Sequence, residues 1–158
     1  MKKITSLIAA VSAAALFSMM VLTFADVFSR KFLGNSITGA VEVTELMMLV
    51  MIFLALPLAS LAGEHIVFDL LDRVLPAGVR RWQQTLSHLL TALVFGGATW
   101  VVWLRALRTL EYGDTTSALA IRIAPFQTLA ALMLGITALA HLYLSWRAAR
   151  GDIDEVAR

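Results

Sequence analysis

Residues 82–104 read WQQTLSHLLTALVFGGATWVVWL, 23 positions without Asp, Glu, Lys or Arg. A helix rising ~1.5 Å per residue needs ~20 apolar residues to cross a hydrocarbon core ~30 Å thick, so this run is long enough alone. Working outward, three more charge-free runs appear: Ile4–Ala25 (22 residues), Leu46–Gly63 (18) and Ile123–Trp146 (24). The second reaches spanning length once Gly39–Glu45 is added. The runs predict spans over 4–25, 39–63, 82–104 and 123–146, a single four-helix transmembrane domain over 1–158. They hold 87 of the 158 residues, and the tails and connectors that remain are too short for a soluble domain.

Composition agrees. The chain is 59% hydrophobic and 15% charged, with a mean hydropathy of +0.81. Soluble domains average ~45–50% apolar and ~25% charged. A membrane-spanning backbone must satisfy its own hydrogen bonds, which leaves helices or a closed barrel. Barrel strands are ~10 residues long and alternate in polarity; these runs are continuous and twice that length. The expected fold is an all-α membrane protein. A net charge of +2 and a pI near 9.4 do not point to nucleic acid, because the 13 basic residues are scattered over tails and loops. There is no cysteine, so disulfides and thiolate metal sites are excluded. No nucleophile–base set, phosphate loop or metal motif is present; neither a cofactor nor enzymatic activity is expected.

Met1-Lys2-Lys3 before an apolar run resembles a secretory signal, but h-regions span ~7–15 residues and this one continues to Asp26. An uncleaved first helix is expected. Four spans put both termini on one side, with eight basic residues there against five on the other. The positive-inside rule therefore places both termini in the cytoplasm. Trp82, Trp100, Trp103 and Trp146 fall near the ends of the third and fourth runs, where their rings anchor at headgroup level.

The connectors differ in character. Gly34-Asn35-Ser36 marks a turn, and a second helix is expected to begin near Thr38-Gly39. In residues 64–75 the apolar Ile66, Val67, Leu70, Leu71, Val74 and Leu75 recur at helical spacing, with Asp69, Asp72 and Arg73 on the other face. Pro76 closes the segment. This is the pattern of a short interfacial amphipathic helix between helices 2 and 3. Residues 105–122, containing Glu111-Tyr112-Gly113-Asp114-Thr115-Thr116-Ser117, read as a polar loop.

Few polar residues suggest chemistry. Glu42 and Glu45 are three apart and share a helix face; as intramembrane carboxylates they would make an ion or proton carrier. No acid lies at mid-depth in any run, however, and both fit the polar start of a helix within reach of Arg30 or Lys31. Asp26 and Arg30, Asp69 and Arg73, and Arg108 and Glu111 are spaced for ion pairs within a helix. His88 and His141 lie at matching depth, each six residues inside its run, and offer one axial pair for a haem-bearing electron-transfer subunit. Against that stands the structural hydrogen bond that such histidines commonly make. Small residues (Ala13, Ala14, Ala15; Gly96, Gly97, Ala98) suit close helix packing.

Several stretches together resemble a known family. They are Asp26-Val27-Phe28-Ser29-Arg30, Glu42 with Glu45, His65-Ile66-Val67-Phe68-Asp69-Leu70, and Ser117-Ala118-Leu119-Ala120-Ile121. In this order and spacing the chain resembles the small membrane subunit, the DctQ-like small permease, of tripartite ATP-independent periplasmic (TRAP) transporters. Arg122 departs from the pattern, which has a proline after Leu-x-Ile. The resemblance implies a non-catalytic scaffold in the bacterial inner membrane, beside a large membrane subunit that carries the substrate and sodium sites. It also implies a periplasmic binding protein that delivers the substrate, usually an organic acid. Asp26, Arg30, Glu42, Glu45, His65 and Asp69 are then expected at subunit contacts or in a helix-end polar network. Arg105, Arg108, Glu111 and Asp114 are expected where the binding protein docks.

Overall fold

The computed structural model describes residues 2–62 and 77–150. Four helices account for most of them: α1 (Lys2–Phe32), α2 (Ala40–Ala62), α3 (Ala77–Tyr112) and α4 (Ala124–Arg150). Each contains a stretch long and apolar enough to cross a membrane. Among the described residues the only β-type pairing is one bridge, Thr115 to Arg122. The amphipathic segment 64–75 expected from the sequence, with His65 and Asp69, lies outside the described residues.

The helices outrun the charge-free stretches. Helix α1 continues through Asp26, Arg30 and Lys31 to Phe32, and α3 continues through Arg105, Arg108 and Glu111 to Tyr112. The loop expected over 105–122 is thus corrected to 113–123. Charge does not end a helix, because a long side chain that reaches water costs the backbone nothing. At 36 residues α3 is about 54 Å long, well beyond a ~30 Å hydrocarbon core. Glycines end both helices. Gly34 follows α1 at φ +71° and Gly113 follows α3 at φ +69°, the left-handed turn that a glycine adopts without penalty. Gly113 and Asp114 donate to the Thr109 carbonyl at 3.0 and 3.2 Å, satisfying the last turn of α3. Pro125 sits in the first turn of α4, where its missing N–H leaves no bond unmade.

The helices pack in the order α1, α2, α4, α3. The α3–α4 contact is the most extensive, α2 packs on α4, and α1 touches α2. Helix α4 is the centre. Its buried face carries Ala124, Ala130, Ala131, Leu134, Thr137, His141, Ser145 and Ala148. Opposite it, α3 buries Ala92, Ala106 and Thr109. Small residues let the helix backbones approach, the usual basis of association where lipid removes any hydrophobic drive. Gly96 and Gly97 face open space instead, with nothing within 4 Å of where a Cβ would stand. Hydroxyls within the helices bond to the carbonyl one turn back, as Ser18, Thr44, Thr99 and Thr137 do, and so satisfy their donors in place.

Candidate functional site

The α1–α2 and α3–α4 connectors lie at one end of the molecule, here called the hairpin end; the opposite end bears the start of α1 and the end of α4. The polar residues singled out in the sequence concentrate at the hairpin end. Two carboxylates organise it.

Asp26 is buried, with 6% of its surface exposed, alone among the α1 residues whose side chains are described. Its Oδ1 accepts the Ser36 hydroxyl and the Ile37 N–H, both at 2.8 Å. Its Oδ2 accepts Arg30 Nη2 at 2.7 Å, one turn along α1. Arg30 also donates to Ser36 Oγ at 3.3 Å, and the Ser29 hydroxyl donates to the Asn35 carbonyl at 2.7 Å. The carboxylate thereby folds the connector back against α1. The spacing of Asp26 and Arg30 was readable as an i, i+4 pair; the role of Ser36 and Ile37 was not, because nothing local marks them.

Glu42, in the first turn of α2, reaches a segment 76 residues away. Its Oε1 accepts the Ala118 N–H at 2.6 Å and its Oε2 the Leu119 N–H at 3.0 Å. Hydrogen bonds to an ionised acceptor are about twice as strong as neutral ones, and here both oxygens act. Glu45, one turn on, is exposed. The two glutamates therefore do not form a joint ion site, since Glu42 is committed to the backbone of another hairpin.

The same hairpins meet at Gly39. This glycine has φ +82°, and a Cβ there would collide with the Leu119 side chain. Its carbonyl accepts the Val43 N–H at 3.0 Å, starting α2. The α3–α4 loop is itself tied. Thr116 N–H donates to the Ile121 carbonyl at 2.9 Å, and the Ile121 N–H donates to Thr116 Oγ1 at 3.1 Å. Ile123 N–H donates to the Asp114 carbonyl at 3.2 Å. Ala120 takes φ +52°, a left-handed conformation that costs a non-glycine residue about 1–2 kcal/mol. Arg122 sits in the bridge between these bonds, and among the described hydrogen bonds its N–H donates none. A proline at position 122 would cost this loop no backbone bond.

Arg105, Arg108, Glu111 and Asp114 are all exposed at this end, the first three on α3 and Asp114 in the loop. Among the described residues the ion pair is Arg30 with Asp26; Arg108 and Glu111 are not paired.

Toward the opposite end, His88 and His141 place their Nδ1 atoms 3.2 Å apart. One ring must donate and the other accept. His141 is 1% exposed and stacks on Phe95 at 5.9 Å, and Ser145 donates to the Thr85 carbonyl nearby at 3.1 Å. A porphyrin between these rings would have to part nitrogens already in contact. The geometry fits a helix-to-helix bond and does not fit an axial haem pair.

The chain is thus a set of membrane helices whose carboxylates fasten its own connectors. A comparison with curated proteins finds no match. The family model for the DctQ component of tripartite ATP-independent periplasmic transporters matches residues 19–151, from within α1 to the end of α4, and the chain belongs to this family.

Proposed function

We propose that the chain is the small, non-catalytic scaffold subunit of a sodium-coupled transporter importing an organic acid delivered by a periplasmic binding protein. The observation that carries this is the family match across all four helices, which makes the chain a TRAP transporter small subunit in a multi-pass membrane setting. The bundle supports a scaffold role. Among the described residues its two inward-turned carboxylates, Asp26 and Glu42, hold connectors rather than a solute site. Sodium coupling and a carboxylate-bearing substrate come from the sequence resemblance, and their sites would belong to the large subunit. The excess of basic residues on the terminal side supports both termini in the cytoplasm, with the hairpin end in the periplasm. Arg105, Arg108, Glu111 and Asp114 would then face the binding protein.

An affinity-tagged chain should bring down a larger multi-span protein from its native membrane. Vesicles holding both, supplied with the binding protein, should take up an organic acid only under an inward sodium gradient. Uptake by this chain alone, or recovery of no membrane partner, would overturn the scaffold reading. Charge reversal at Arg105 and Arg108 should weaken uptake at low binding-protein concentration; unchanged uptake would remove those residues from the docking surface.

A further inference from the structure

The two ends of the bundle differ in charge. The acidic residues whose side chains are described, Asp26, Glu42, Glu45, Glu111 and Asp114, all lie toward the hairpin end. At the opposite end the described charged side chains are Arg81 near the start of α3, with Arg147 and Arg150 in the last turn of α4. The Ser145 hydroxyl reaches the Thr85 carbonyl across this antiparallel pair, so Arg81 stands level with the end of α4. Among the described side chains this end is wholly cationic.

Beside these arginines, α4 carries an open groove of about 500 Å³ lined by Leu139, Leu142, Tyr143, Ser145, Trp146 and Ala149. From Arg150 down to Leu139 the helix covers about 16 Å, close to the depth of one leaflet of a ~30 Å hydrocarbon core. Arg150 is held at the mouth of the groove. Its guanidinium lies 3.8 Å over the Trp146 ring, and that ring packs against Tyr143 at 6.2 Å. Stacking uses the flat face of a guanidinium and leaves its N–H fork in the plane, the geometry that takes a phosphate with two bonds. Anchoring at headgroup level accounts for the ring, not for the arginine laid across it.

We propose that this groove binds one anionic phospholipid, with its phosphate on Arg150 and one acyl chain along Leu139, Leu142 and Trp146. The cationic end selects the headgroup, and the groove receives the tail. A zwitterionic lipid would bring an ammonium group toward Arg81 and Arg147, which repel it. The site depends on α4 being a membrane span and not on the ion or solute that the transporter moves.

The test uses the full chain, with any membrane partner it retains, in vesicles of equal parts phosphatidylglycerol and phosphatidylcholine. A photo-crosslinking amino acid at position 142 should capture phosphatidylglycerol over phosphatidylcholine about fivefold, the preference that one arginine near a membrane surface confers. The same probe at position 86, exposed on α3 and outside the groove, should capture both lipids equally. Equal capture at position 142 would overturn the proposal, as would adducts there with a second copy or with a larger membrane protein. R150Q should abolish the preference. A149W fills the groove without altering its charge and should abolish it too; a preference that survived A149W would refute a groove-bound tail. R81Q should retain most of the preference, and a loss equal to that of R150Q would reduce the effect to general surface charge. Excess inorganic phosphate should not compete, and competition would show that a phosphate is held without its lipid.

Discussion

Along the apolar span of α4, 33% of residues are buried within the chain; along that of α1, 6% are. Helix α4 is held by a continuous face, from Ala124 to Ala148, that meets α3 on one flank and α2 on another. Among its described side chains, helix α1 has a thin, half-buried stripe of Ser12, Ala15, Met19, Leu22, Ala25 and Ser29, and Asp26 alone is buried. Its other faces display Phe17, Met20, Phe24 and Phe28. One helix is retained by many small contacts, the other chiefly by a knot at one end. A carboxylate that gathers three donors can replace a packed face where lipid supplies no hydrophobic drive.

The largest test of that contrast is Asp26→Ala. It leaves the Ser36 hydroxyl and the Ile37 N–H without their acceptor and releases the Arg30 guanidinium to water, and should free the connector from α1. Spin labels on α1 and α2 should report a wider, broader distance distribution; an unchanged distribution would show that the stripe alone holds α1. Next is Ala131→Leu, at a site with no exposed surface, which should lower stability by about 2–3 kcal/mol through overpacking. Thermal unfolding in detergent measures it, and neutrality would mean that the α4 face is loosely packed. Gly39→Ala forces a left-handed alanine into Leu119 and should cost about 2 kcal/mol. If it did not, the two hairpins would not be locked together there. Phe24→Ala, at 70% exposure, should move the isolated subunit by no more than about 0.5 kcal/mol. Weaker recovery of the large subunit with the same variant would make α1's outer side an assembly surface. Arg122→Pro should stay within about 1 kcal/mol of wild type, since no backbone bond is lost.

The sequence was most legible where lipid imposes the rule. Charge-free length located all four helices, since a hydrocarbon core excludes ions over a fixed thickness. Helix ends were less legible because charge and helix termination are separate matters: α3 passes Arg105, Arg108 and Glu111 and stops only at Gly113. Depth counting put His88 level with His141, but not the ring orientation that bonds one to the other. The hold of Glu42 on Ala118 and Leu119 was not legible at all. Local spacing reveals partners three or four residues away, whereas this contact depends on how two hairpins lie side by side. The acceptors were visible in the sequence; their donors, being backbone amides, were not.

The packing order has a bearing on how the protein is made. Because α4 lies between α2 and α3, the last of these four helices to be made is the one on which α2 and α3 assemble. Membrane helices insert singly and associate afterwards. Until residue 124 and beyond emerge, α3 has no helix to receive Ala92, Ala106 and Thr109, and Glu42 waits for a loop whose far anchor does not yet exist. A chain halted before Ile123 should therefore insert its helices yet remain sensitive to membrane proteases. The core shared by α2, α3 and α4 closes only when the fourth helix has been made.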